Sequence, residues 1–409
     1  MIKPIPNVLY NKENEAEKRL YEFKVVKKYV ETNKSLPGYV FDYERYKKED
    51  TVILKIAKAP KNSFSLDENI EYVFINKFVT GPKSINKNIL KKAKANSTDL
   101  GIPVDLNDRI IYLYGDTFSG NDCNIGIWNS NFIAEGSNLD FNSGITFDRV
   151  ITDKNGVIKP ICQGLHHRDK PENKDLSLGR EVTKIPTGGI LIGDYVYVYM
   201  MHVRHWGPAG VWYVTNNQLY KAHKYKLDQF EPVSAVKFDF ENHYRLGQIY
   251  PFRNEFDEEY IYMISIPGGR FGNLSLLRVK QEEIEDMSKY EICVGKGKYL
   301  PLGEGLKIEY YILSPNVSEP SIMYNHFLKK WIITTIGEDG HYMYLNSELD
   351  TPFEERMLIL THKQLVSFYG GFVHPRLSEY NDRKLYLQYS QWSPIYNTSL
   401  VEVVFKEKD

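Results

Sequence analysis

Apolar and polar residues alternate with a period of two through most of this chain, and the alternating runs are rich in β-branched and aromatic residues. An all-β body follows. Five times an apolar strand leads into a polar turn and then a second strand: Arg109-Ile-Ile-Tyr-Leu-Tyr, Tyr195-Val-Tyr-Val-Tyr-Met, Tyr260-Ile-Tyr-Met-Ile-Ser, Trp331-Ile-Ile-Thr-Thr-Ile and Lys384-Leu-Tyr-Leu-Gln-Tyr. The turns before them are Asn107-Asp108, Gly193-Asp194, residues 254–259, residues 328–330, and Asn381-Asp382. The second strands start near residues 109, 195, 260, 331 and 384, and these spacings leave room for two further strands per unit. Four-stranded blades in a five-bladed β-propeller are therefore expected, although a β-sandwich is also built from hairpins.

The first part of the chain reads differently. Residues 11–31 predict an amphipathic helix, with Leu20, Phe23, Val26 and Val30 at three- and four-residue intervals. Strand-like runs follow at 51–58 and 71–79, so residues 1–85 are expected to form a small α+β module. The lysine-rich segment 83–94 reads as a solvated linker, or alternatively as a patch for an anionic glycan. The propeller is expected over residues 95–409.

Charge narrows the functional classes. Of 409 residues, 52 are basic and 53 acidic, a formal charge of -1 that removes the electrostatic argument for nucleic acid or an anionic membrane surface. Cys123, Cys162 and Cys293 are far apart with no CxxC pair, which suggests neither a disulfide framework nor zinc; buried thiols are expected. The N-terminus has no secretory apolar region, and no run of eighteen apolar residues occurs. A soluble protein is expected, either cytoplasmic, exported without that signal, or carried on a larger particle such as a phage tail.

The chemistry concentrates at the ends of the first hairpin. Asp99 and Asp116 lie seventeen residues apart, at the two outer ends of strands joined by Leu106-Asn-Asp-Arg109, and a hairpin brings its outer ends together. Paired carboxylates are what general acid and base work on a glycosidic bond requires. Asp99 could equally be an Asx-turn residue bonded to nearby amides, whereas Asp116 directly follows an apolar strand, where a charge is costly without a cleft or partner.

Counting eight residues from each turn places Asp116, His202, Pro267 just before Arg270, and Glu338 at one end of the repeat. Asp99, Arg245 with His243, Glu319 and His374 precede the first strands, with Glu181 further upstream. The segment Met201-His-Val-Arg-His-Trp-Gly207 holds His202, Arg204 and Trp206, side chains suited to stacking on and hydrogen-bonding a sugar. Trp206 packed on its own loop, and Glu319 in an ion pair, are the structural alternatives. His202, His243 and His374 could meet on the axis, but no metal-ligand spacing is present; structural or substrate-contacting histidines are expected and no metal. The run Gly268-Gly269-Arg270-Phe271-Gly272 lacks the helix of a phosphate loop, and no G-x-S-x-G elbow occurs.

Several separated motifs carry a resemblance: Thr98-Asp-Leu-Gly101, Tyr114-Gly-Asp-Thr-Phe118, Trp128-Asn-Ser-Asn131 with Ile133-Ala134, residues 181–189 (EVTKIPTGG), Gly210-Val-Trp212 and Glu319-Pro-Ser321. Over residues 95–405 the chain resembles a family of bacterial five-bladed propellers catalogued as a domain of unknown function, which includes the endo-D-arabinanases of glycoside hydrolase family 183. The resemblance implies cleavage by the aspartates of the first two motifs, Asp99 and Asp116. An arabinan is then one candidate among furanosides and other cell-wall or capsular glycans.

The expected protein is an endo-acting glycosidase on a polysaccharide or oligosaccharide. Asp99 and Asp116 are its catalytic pair, and Glu181, His202, Arg204, Trp206, His243, Arg245, Arg270, Glu319 and His374 hold the sugar. No cofactor is required. The alternatives are a non-catalytic glycan-binding or phage-tail receptor-binding propeller, whose N-terminal module could attach to a larger assembly, and a structural propeller that binds protein.

Overall fold

The computed structural model describes residues 4–46, 50–166, 180–206, 212–269, 271–337, 339–374 and 381–407. The chain divides into two compact units, one of Met1–Ile75 with Val403–Asp409 and one of Asn76–Glu402.

In the smaller unit a helix, Glu13–Arg19, accompanies a three-stranded sheet. Thr51–Lys58 is its central strand, parallel to Lys24–Glu31 and antiparallel to Val40–Arg45. Val8, Ala16, Leu20, Val40, Val52, Leu54 and Ile56 form its core. The helix expected over 11–31 is thus corrected. It stops at Arg19, and the β-branched run around Val25, Val26 and Val30 is strand, because those side chains lose rotamer freedom in a helix and pack well on a pleated surface.

The larger unit contains five antiparallel hairpins. These are Ser97–Asp105 with Ile110–Phe118, Thr183–Ile192 with Tyr195–His205, Gln248–Arg253 with Tyr260–Ile266, Leu313–Asn325 with Lys330–Ile336, and Phe368–Val373 with Lys384–Gln391. The first belongs to a five-stranded sheet and the second to a four-stranded one. The third and fourth share a nine-stranded sheet, because Gly272–Lys280 also pairs with Leu313–Asn325. The fifth hairpin continues through Asn397–Phe405, and Ile70–Phe78 is the last strand of that sheet. Strand edges need partners for their backbone groups, and Asn397–Phe405 supplies them.

The lysine-rich segment is also corrected. It is not a solvated hinge: it holds a helix, Lys87–Lys92, whose Leu90 is buried with Ala93, Ala95 and Tyr112. Asn86 anchors it, donating to the carbonyls of Val79 and Ile145 at 2.9 and 2.8 Å and accepting from the Phe147 amide at 2.9 Å.

First strands of all five hairpins line one cavity of about 600 Å³, represented by Val104, Gly189, Tyr250, Ile322 and Phe372. Its rim residues Asn107, Gly193 and Asp382 lie at the hairpin turns. All three cysteines are free; Cys293 is buried, and Cys123 and Cys162 are half-buried. Among the described residues no helix is long and apolar enough to cross a membrane.

Candidate active site

The first hairpin creates the site through a defect in its own ladder. Ser97 opposes Phe118 and Thr98 opposes Thr117, but Leu100 opposes Tyr114, so one residue, Asp99, faces two, Gly115 and Asp116. That is a β-bulge, which re-aims side chains. The threonine hydroxyls of 98 and 117 meet at 2.7 Å and pin the register below it. Leu100 takes a left-handed φ of 67°, and its amide is satisfied by the Ser390 hydroxyl at 2.7 Å. A Cβ at Gly115 would lie 2.4 Å from Oδ1 of Asp99, so any larger residue there would displace that carboxylate.

The two carboxylates have different surroundings. Oδ2 of Asp99 accepts the Tyr369 hydroxyl at 2.8 Å, and Oδ1 has no hydrogen-bond partner among the described residues. Burial, with the charge of nearby Asp116, pushes Asp99 up to about 7, against the Tyr396 and Tyr369 hydroxyls, which favour its ionised form. Oδ1 of Asp116 accepts two donors, the Thr183 hydroxyl at 2.7 Å and the Trp128 indole N–H at 2.9 Å. Burial raises Asp116 to about 6, and those donors hold it there.

A third carboxylate stands nearby. Glu319 is buried, has a left-handed φ of 46°, and accepts the Gly370 amide at 3.0 Å on Oε2; its charge also raises Asp99.

The sequence model of one family, described as Domain of unknown function (DUF4185), matches residues 84–402. The chain belongs to that family. No curated protein matches the chain. Among solved structures, a "putative hydrolase" from Bacteroides ovatus ATCC 8483 is 11% identical, with 83% of this chain and 93% of that chain covered at a TM-score of 0.56, which shows a common fold. Two others score lower: a glycosyl hydrolase from Bacteroides ovatus (14% identity, 84% and 95% covered, TM-score 0.43) and a family 117 glycoside hydrolase from Zobellia galactanivorans (9%, 83% and 92%, 0.44).

The other expected sugar-binding residues of this DUF4185 domain fall into distinct environments. Glu181 and His202 meet at 3.3 Å, with Lys184 3.7 Å from Glu181 and the Leu165 amide bonded to it at 3.1 Å. Burial opposes ionisation of Glu181, but the His202 imidazole and Lys184 outweigh it and lower its pKa; burial lowers His202. Arg204 is buried, and Trp206 packs edge-on against Trp212 at 5.3 Å. Arg270 lies outside the described residues.

Three of the expected residues sit in structural contacts. Arg245 is buried, donating to the Ser275 hydroxyl and to the carbonyls of Ile308 and Tyr310 with its guanidinium 4.5 Å from the Tyr311 ring centre, so its donors serve the fold. His243 is held by Asp239 at 3.2 Å and lies edge-on to Phe238. His374 packs against Phe141 and Tyr112 in the core. The fifth first strand begins at Phe368, so the position corresponding to Asp99 is taken by Tyr369, and His374 lies beyond the far end of the strand. Among the described residues no group of three His, Cys, Asp or Glu side chains could hold a metal ion.

Sequence reasoning assigned no role to Trp128, Thr183, Tyr369 or Tyr396. The Trp128-Asn-Ser-Asn131 motif and Thr183 within 181–189 were visible signals, and Tyr369 stands directly before Gly370-Gly371.

Proposed function

We propose that this chain is a glycoside hydrolase of a bacterial cell-wall or capsular polysaccharide, with the five hairpins as inner strands of a five-bladed propeller. An arabinofuranan is the substrate to try first, on the resemblance to the endo-D-arabinanases. One observation carries the reading: two half-buried aspartates share a bulge and have different hydrogen-bond surroundings. Divergent environments of paired carboxyls mark acid and base. Two donors on Oδ1 favour the ionised form of Asp116, whereas burial and the neighbouring charge of Asp116 favour the protonated form of Asp99.

Asp99 then gives its proton to the glycosidic oxygen as the bond to the anomeric carbon breaks. Asp116 acts on that carbon, as nucleophile or as the base that takes a proton from water. Water supplies the hydroxyl of the new reducing end and the proton that restores Asp99. Glu181 and His202 provide a polar edge for sugar hydroxyls.

Incubation with a panel of bacterial wall polysaccharides, arabinofuranan included, tests this. New reducing ends are expected from the wild type and not from folded Asp99→Asn or Asp116→Asn. Tight binding of a glycan without cleavage would replace the enzyme with a glycan-binding protein.

A further inference from the structure

Tyr369 and Asp99 come from the fifth and first hairpins, 270 residues apart, and meet at 2.8 Å. The contact occupies only one carboxyl oxygen. Oδ1 has no hydrogen-bond partner among the described residues and is buried against Gly115, where a Cβ would collide with it.

The seat of Tyr369 is itself built. The next two residues, Gly370 and Gly371, both have positive φ, 76° and 101°, and interrupt the register between Phe368–Val373 and Lys384–Gln391. The Gly370 amide in this turn donates to Glu319 at 3.0 Å. Glu319 comes from the fourth hairpin and holds a backbone conformation that non-glycine residues adopt only when surroundings over-determine it. Glu319, Tyr369 and Asp99 thus form a relay of contacts across three hairpins.

We propose that Tyr369 is a positioning residue that fixes the Asp99 carboxyl through Oδ2, and that Glu319 seats Tyr369 through the Gly370 amide. The inference rests on the reading of Asp99 as the proton donor. When Asp99 gives its proton to the glycosidic oxygen, the carboxylate formed is already stabilised at Oδ2 by the phenol. The phenol keeps its own proton throughout.

The test is carboxyl titration by NMR on full-length protein with 13C-labelled aspartate, using Asp99→Asn to assign the signal. Tyr369→Phe is expected to raise the Asp99 midpoint by about one pH unit, since a donor to the ionised form is lost. Isosteric 3-fluorotyrosine at position 369, a stronger donor, should lower it, and keeps the question open to measurement if Tyr369→Phe does not fold. In a Glu319→Ala background the effect of Tyr369→Phe should shrink to less than half, the coupling expected if one residue seats the other. Tyr389→Phe, which removes a buried hydroxyl bonded to His341, should leave the midpoint unmoved. An Asp99 midpoint insensitive to both changes at position 369 overturns the proposal, even with full polysaccharide cleavage. The expected shifts without cleavage of any glycan would instead uphold the positioning and sink the hydrolase reading.

Discussion

The indole N–H of Trp128 donates to Oδ1 of Asp116 at 2.9 Å, the same oxygen that accepts the Thr183 hydroxyl. Both donors stabilise the ionised carboxylate, so their loss favours its protonated form. Trp128→Phe is expected to move the acid limb of the pH profile of kcat/KM upward by about one pH unit, and Thr183→Val to do the same. The loss in rate should be about tenfold at pH 5.5 and small at pH 8, where Asp116 is ionised in either case. A rate loss equal at both pH values would show that Trp128 acts on something other than this carboxylate.

Asp99 also ties stability to pH. Its folded pKa, about 7, lies above the ordinary value of 3.8, so between these values the folded state binds more protons and stability falls as pH rises. Asp99→Asn removes the cost of burying the charge. The variant should gain about 2 kcal/mol at pH 8, a figure reduced for the partial exposure of the site, and almost nothing at pH 3.5. Urea unfolding at the two pH values measures the difference, and a variant less stable than wild type at pH 8 would contradict it.

Two core histidines act in the opposite direction. Burial lowers His341 and His374 to about 3 from 6.5, so the unfolded chain binds more protons between these values and stability falls as pH drops. Neither ring nitrogen of His374 has a hydrogen-bond partner among the described residues. His374→Phe should therefore keep the packing against Phe141 and Tyr112 and reduce the loss of stability between pH 6.5 and pH 4 by on the order of 2 kcal/mol. Thermal unfolding at both pH values should show a smaller difference in Tm than the wild type has.

Arg245 separates structure from chemistry. Its donors are spent on Ser275 and the carbonyls of Ile308 and Tyr310, so Arg245→Ala leaves buried acceptors unpaired. A stability loss on the order of 3 kcal/mol is expected, with KM and the pH profile of the surviving folded enzyme unchanged. A raised KM at full stability would return Arg245 to the sugar site.

Much of this architecture was legible because the hairpins are local. The predicted second-strand starts near 109, 195, 260, 331 and 384 lie within one residue of the observed strands beginning at Ile110, Tyr195, Tyr260, Lys330 and Lys384. Alternation and turn chemistry act over a few residues, and both are written directly in the chain. The helix over 11–31 misled because its apolar spacing fits two periods, and β-branched residues supported by a neighbouring strand settled it.

By itself the sequence determined the hairpin that carries Asp99 and Asp116, since a turn and two alternating strands bring their own ends together. Tertiary structure alone decided what surrounds that pair. Tyr369 reaches Asp99 from 270 residues away, Thr183 reaches Asp116 from 67, and Arg245 and His374 turn into the interior. The pKa of a carboxyl depends on desolvation and on the donors that reach it, and both come from how separate sheets pack together. No local period in the chain records that packing.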